Sequence, residues 1–442
     1  MSASTSEDAI GRYEHATPTS ARLFAESQKV VAGGVSRGTL AFDPYPFYAD
    51  TASGARITDV DGNVYLDLVN NYTSLPHGHA HPATTAAVQA QLQVSSAVGA
   101  PLRLEADYAA ELRERIPTLE RLRFTTTGSE AVAFAARVAR TNTGRARILK
   151  FEGGFHGSYT EFYQDIAVMP PLLAGSSAAA RPSSAGLEPT QTVTAVYNDP
   201  GSVRAAFSAW GDQLAAVVLE PFLGNGALVT ATPEFLDAVF DESRKSGALV
   251  IFDEIQSLRA GFHGAHGLWG RTPDLVCVGK IMGGGYSLAA YGGRAELFEV
   301  LQGPAPSILQ TGTFTANGPA LAAGRAAMAE LTPAAYDALE ARTERVRSGI
   351  REIFAAAGIP VHVNGMGSMF NISITDAPVT SYRAFRAADA ERLAAFRLDL
   401  LTRGVLIMPR GTGCLSTAVG DDDIDEILDK IRESADTIRS DA

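Results

Sequence analysis

Leu275-Val276-Cys277-Val278-Gly279-Lys280-Ile281-Met282-Gly283-Gly284-Gly285 decides the architecture of this chain. Its first four residues are wholly apolar, as in a strand covered on both faces, and such strands belong to parallel sheets flanked by helices. Residues 122–126, 147–151, 215–219 and 248–252 read as further buried strands upstream. Between them lie Ala-rich or amphipathic stretches, 130–141 and 233–246, that read as helices packed on the sheet. The alternation predicts an α/β fold with a mainly parallel sheet between helices. In such sheets ligands sit beyond the carboxyl ends of the strands, so the residues just after each run are where chemistry belongs.

The flanks read differently. Residues 55–69 hold an Asp61-Gly62 turn between two β-like runs, a hairpin signal. From about Thr332 the chain mixes charged amphipathic helices with short strands at 369–374 and 405–408. The expected division is a large domain, 85–330, beside a smaller α+β lobe built from an N-terminal segment, 1–84, and a C-terminal one, 331–442. Residues 170–189, dominated by Pro, Ser, Ala and Gly, read as a disordered stretch or a functional lid. A length of 442 residues leaves room for two unequal lobes, and 46% hydrophobic with 19% charged residues excludes a mainly disordered chain. A net charge of −12 without a basic patch argues against a nucleic-acid partner. No apolar run reaches membrane-spanning length, and the N-terminus lacks the basic-then-apolar order of a signal peptide. Cys277 and Cys414 cannot build a disulfide framework by themselves. A cytoplasmic enzyme is the expectation.

Three strand ends carry the chemistry. Thr126-Thr127-Gly128-Ser129-Glu130 runs from a strand into a helix. Its hydroxyls and free N–H groups suit a phosphate, although an ordinary Thr cap followed by Glu has the same spelling. Asp253, after the apolar run Leu249-Val250-Ile251-Phe252, stands at the functional edge of the sheet. It reads as a loop cap, a metal ligand or the partner of a cationic ring nitrogen. Lys280 ends a buried strand, where lysine is unusual. It either snorkels to solvent or serves as a nucleophilic amine, which requires a destabilised ammonium form. A phosphate cradle, a carboxylate for a pyridinium nitrogen and a Schiff-base lysine are together the parts that hold pyridoxal 5'-phosphate.

With these in order, the chain resembles the class III, fold-type I pyridoxal-phosphate aminotransferases, in the branch containing glutamate-1-semialdehyde aminomutase. The likeness runs from Val31 to Ile431 and includes Gly78-His79-Ala80-His81-Pro82, Phe151-Glu152-Gly153-Gly154-Phe155-His156-Gly157 and the stretch from Ala289 to Arg294. The resemblance implies that Lys280 forms the Schiff base and moves the proton, and that Asp253 pairs with the pyridine nitrogen. It assigns Gly128 and Ser129 to the phosphate, Phe155 to the ring face and His156 to a place beside it. Thr313, in Gly312-Thr313-Phe314, is expected to reach the phosphate of a neighbouring subunit, making a homodimer with shared sites. Asn225 matches a position near the cofactor's phenolic oxygen. Gln256 departs from the aminomutase pattern, which has methionine there, and is expected to share that contact.

The substrate is read from arginines, whose planar forks suit carboxylates. Arg37, in Val35-Ser36-Arg37-Gly38, and Arg410, in Met408-Pro409-Arg410-Gly411, are similar to positions in the β-phenylalanine aminotransferases of this branch, as is Asn71-Tyr72-Thr73. Arg37, Arg410 and Tyr72 are therefore the expected substrate contacts. The implied activity is ping-pong transfer of an amino group from an amino acid, with a β-amino acid favoured, to a keto acid. The alternatives are an aminomutase holding its intermediate behind a lid, and a cofactor-bound protein without turnover. His77, His79 and His81 alternate, yet a structural turn suits them better than a metal site; His263 and His266 are expected to be solvated or packing residues.

Overall fold

The computed structural model describes residues 3–162 and 191–439, so the glycine- and proline-rich stretch 170–189 lies outside the described residues. At its centre is a seven-stranded sheet. In spatial order its strands are Arg121–Thr125, Ala289–Gly293, Leu275–Val278, Leu249–Asp253, Leu214–Leu219, Arg147–Phe151 and Thr192–Ala195. The pairs from Leu275–Val278 to Thr192–Ala195 are parallel, whereas Ala289–Gly293 runs antiparallel to both neighbours. That reversal departs from the simple parallel repeat, because a short glycine-rich turn after Lys280 leaves no room for a crossover helix.

All six residues of Leu214–Leu219 are buried, as are all four of Leu275–Val278. Helices Gly128–Thr143 and Pro233–Ser246 supply the covering faces through Ala131, Val132, Ala135 and Phe235, Leu236, Val239. Each fully buried aliphatic side chain stabilises the fold by about 1.5–3 kcal/mol relative to exposure, which is why these runs specify the sheet.

A second sheet joins distant parts of the chain. Ala49–Ser53, Arg56–Asp59 and Val64–Asp67 form an antiparallel meander, with the Asp61-Gly62 turn between the last two. Val405–Leu406, from near the C-terminus, pairs in parallel with Val64–Asp67. Helix Ala3–Ala16 packs on helix Ala390–Thr402. Arg259, 3% exposed, ties three regions to one guanidinium: it donates to Thr73 O at 2.9 Å, Ser368 Oγ at 2.8 Å and Leu415 O. Among the described residues no helix is long and apolar enough to cross a membrane.

Candidate active site

Three adjacent parallel strands deliver polar side chains to one edge. Leu214–Leu219 is followed by Glu220, Leu249–Asp253 ends on Asp253, and Lys280 lies two residues past Leu275–Val278. Phe252 is registered with Leu219 and Asp253 with Cys277, so the three groups meet at the carboxyl edge of the sheet.

Lys280 opens a short 3-10 turn with φ of +49°, a conformation that costs a side-chain-bearing residue about 1–2 kcal/mol. Two contacts enforce it. Tyr108 Oη donates to Met282 O at 2.6 Å, and helix Gly318–Glu330 comes so close that a Cβ on Gly324 would lie 2.1 Å from that same oxygen. The amine keeps some open surface, but its packed surroundings push its pKa down to about 8, against the pull of Glu220 and Asp253. About a tenth is thus neutral and nucleophilic at pH 7, far more than for an ordinary lysine.

Asp253, 3% exposed, accepts from His156 Nδ1 at 2.9 Å through Oδ2 and from the Ile255 N–H at 3.1 Å through Oδ1. Each oxygen keeps a lone pair for one more donor. His156 Nε2 is buried with no hydrogen-bond partner among the described residues, which is rare for a buried polar atom.

Glu220 escaped the sequence reading as a site residue. Burial and the repulsion of Asp253 push its pKa up to about 8, while the N–H groups of Phe155 (2.9 Å) and Gly224 (3.1 Å) hold its carboxyl in place. The signal was available: an acidic residue directly after a wholly apolar strand, as with Asp253.

At the start of helix Gly128–Thr143 the two readings of the sequence are compatible with each other. Thr127 and Glu130 form a reciprocal capping box, so the ordinary cap is real. It leaves the N–H groups of Gly128 and Ser129 without an acceptor among the described residues. Ser129 Oγ accepts from the Ser158 N–H at 3.1 Å, fixing the next loop beside the helix start. Two free amides at a helix N-terminus suit a phosphate. With the buried carboxylate, the orphaned imidazole nitrogen and the low-pKa amine, they fit pyridoxal phosphate.

The other expected residues divide into groups. Phe155 is exposed at 37% next to buried His156. Gln256 Oε1 would lie 2.0 Å from a Cβ on Gly224, which puts its amide against the loop carrying Asn225. Arg410 Nη1 donates to Asn225 O at 2.8 Å. Arg37 is exposed; it donates to Asn71 Oδ1 at 2.7 Å and stacks 5.1 Å from the centroid of Tyr72. Tyr72 lines a cavity of about 530 Å³, and its hydroxyl donates to Thr39 O. Thr313 is exposed, and its neighbours Gly312 and Thr315 line a cavity of about 530 Å³ whose lining includes none of Lys280, Asp253 and Glu220.

The histidines have structural partners. His77 bonds Thr417 Oγ1 and Ala327 O, both at 2.8 Å, and stacks on His81, which pairs with Glu330 at 3.2 Å. His79 Nε2 meets Asp67 Oδ2 at 2.7 Å. His266 is buried rather than solvated, because Glu254 accepts both its N–H at 2.6 Å and its Nδ1 at 2.8 Å.

Comparison with known proteins follows the same lines. The family Aminotransferase class-III is matched over residues 41–434. A glutamate-1-semialdehyde 2,1-aminomutase 2 of Bacillus cereus is 37% identical over 416 residues, 92% of this chain and 95% of that protein. An omega-transaminase from Sphaerobacter thermophilus shares the fold with a TM-score of 0.89 at 37% identity, covering 95% of this chain and 98% of that one. A beta-phenylalanine aminotransferase from Variovorax paradoxus has a TM-score of 0.89 at 32% identity, covering 97% and 96%.

Proposed function

The chain belongs to the class III aminotransferases, enzymes of fold type I, and from that premise we propose that it moves an amino group from an amino acid, preferably a β-amino acid, to a keto acid in two half-reactions. The cofactor is pyridoxal 5'-phosphate. One observation carries the reading: a low-pKa lysine and a buried carboxylate share one edge of the sheet, beside a helix start with two free amides. The bound cofactor supplies an aldehyde to capture the substrate amine and a ring to take up the electrons of the reacting carbon.

Lys280 would hold the cofactor through its aldehyde, and its free amine would serve as the base that carries the proton. Asp253 keeps a proton on the ring nitrogen, and His156 fixes the Asp253 carboxylate. Gly128 and Ser129 hold the phosphate through their N–H groups, and Phe155 covers the ring. Asn225 and Gln256 share the phenolic oxygen. Arg37, Tyr72 and Arg410 take the substrate, and a β-amino acid is favoured because the sequence around Arg37, Tyr72 and Arg410 is similar to that of the β-phenylalanine aminotransferases. Thr313 reaches a second copy of the chain, so the working unit is a homodimer.

A second reading, amino-group migration within one substrate, has the 37% identity to the Bacillus aminomutase in its favour. The experiment follows the absorbance of the holoenzyme while amino donors and keto acids are offered singly and in pairs. Transfer to an external keto acid is expected, strongest with β-amino acids. Conversion of glutamate-1-semialdehyde with no acceptor, and no transfer from any donor, would decide for the aminomutase.

A further inference from the structure

The cavity lined by Tyr72 contains a cation that nothing assigns. Arg397, on helix Ala390–Thr402, is 7% exposed and lies with its guanidinium carbon 5.9 Å from the centroid of Phe42. Among the described residues it makes no hydrogen bond and no ion pair. The acids nearest in sequence and on the cavity wall are engaged elsewhere. Asp399, two residues on, pairs with Arg12 and Arg403. Asp67, which lines the same cavity, accepts from His79 and from the N–H groups of Val69 and Asn70. A guanidinium largely withdrawn from bulk water with no carboxylate or carbonyl on it is a costly arrangement, and the cavity it lines is where an outside partner would sit.

The remainder of the cavity says what that partner is. Its walls include Leu40, Phe42, Phe47, Leu75, Leu406 and Ile407. It extends to Gly285, at the end of the glycine run that follows Lys280. Burial raises the pKa of Tyr72, while the Thr39 contact and then Arg37, Arg397 and Arg410 oppose the rise, so the apolar chamber has a cationic edge. Arg37 and Arg410 spend donors on Asn71 and Asn225; Arg397 spends none. Burial pushes its pKa down to about 10, which leaves it charged at neutral pH.

We propose that Arg397 anchors the carboxylate of the substrate inside this cavity, and that the substrate is a carboxylic acid whose remaining bulk is apolar. The proposal rests on the aminotransferase reading and deepens it: Arg37 is exposed against the ring of Tyr72, and Arg397, inside the cavity, supplies the desolvated, stronger contact.

Calorimetry on the holoenzyme tests this with two probes that carry no amine, 3-phenylpropanoate and its neutral counterpart 3-phenylpropan-1-ol. Arg397→Met should weaken the carboxylate roughly ten- to hundredfold and leave the alcohol within about twofold, with Arg397→Lys recovering part of the loss. The thermal midpoint of the cofactor-free Met variant should hold or rise, since an unpaired buried charge is removed. The proposal is overturned by unchanged carboxylate affinity, by equal losses for both probes with a lowered midpoint, or by a wild type that does not bind 3-phenylpropanoate. The absorbance change on adding a simple amine such as 1-phenylethylamine tests the aminotransferase reading independently, because it needs Lys280 and the cofactor but no carboxylate.

Discussion

Lys280, Glu220 and Asp253 form a cluster in which burial first, and the neighbouring charges second, move the pKa values of Lys280 and Glu220. Two consequences follow for experiment. Asp253→Asn keeps the shape and removes the charge that would hold a proton on the ring nitrogen. The variant should retain bound cofactor while turnover falls roughly hundred- to thousandfold, the usual scale for losing one preorganised electrostatic partner; steady-state rates that match wild type would remove the role. The second consequence concerns the cofactor-free chain. Glu220 has a folded pKa of about 8 against an ordinary 4.5, so its contribution to stability is full below pH 4.5 and lost as pH rises towards 8. Lys280 has a folded pKa of about 8 against 10.5, so its contribution is present above pH 10.5 and lost as pH falls towards 8. The two slopes oppose each other, and the cluster should weaken the fold most near pH 8. Denaturant titrations at several pH values should show the acid-side slope flattened in Glu220→Gln and the alkaline-side slope flattened in Lys280→Met. Parallel curves for all three proteins would contradict the assignment.

Among elements, the glycine-rich turn after Lys280 and the helix Gly318–Glu330 behind it work as one piece. The helix can approach the turn only because position 324 lacks a side chain. Gly324→Ala should force them apart and cost about 1–3 kcal/mol, the range for overpacking a tight interior contact. The same displacement moves Lys280, so the variant should also lose cofactor more readily on dialysis; a wild-type midpoint together with wild-type retention would count against the clamp. A comparable device holds Tyr72. Asn70, Asn71, Tyr72 and Thr73 all have positive φ, between 46° and 69°, a left-handed turn of four side-chain-bearing residues. Asp67 Oδ1 accepts the N–H groups of Val69 and Asn70, Asn70 Nδ2 donates to Cys414 O at 2.9 Å, and Arg259 donates to Thr73 O at the far end, so the turn is tied at both ends. Strain of this kind persists where surrounding contacts over-determine the backbone, and here it sets Tyr72 at the cavity wall.

For the whole molecule, the exposure of Thr313 on this chain's surface is the feature that bears on assembly. Thr313 and Phe314 are exposed, the latter at 64%, on the surface of this chain. If Thr313 serves a second copy, then mixing Lys280→Ala with Thr313→Ala subunits should yield hybrids with one doubly damaged site and one intact site. Dissociation and remixing should therefore restore activity to roughly a quarter of wild type in an equimolar mixture, from random pairing of subunits into dimers of which half are hybrids with one working site. A mixture no more active than the sum of its inactive parts would exclude sharing.

What the sequence determined by itself was everything written in local periodicity: the buried runs of the central sheet, the helices between them, the Asp61-Gly62 hairpin, and the positions of Asp253 and Lys280 at strand ends. Those features are legible because a strand buried on both faces must be apolar, so a charged residue at its end stands out. Tertiary structure alone decided the antiparallel direction of Ala289–Gly293, the pairing of Val405–Leu406 with Val64–Asp67, and the burial of His266 on Glu254. It also decided Arg397. That residue sits in an ordinary amphipathic helix, and nothing in its spelling separates it from Arg392 or Arg403, which find acceptors on the protein. Whether a guanidinium is paired depends on which side chains fold against it, and those are set by contacts hundreds of residues apart.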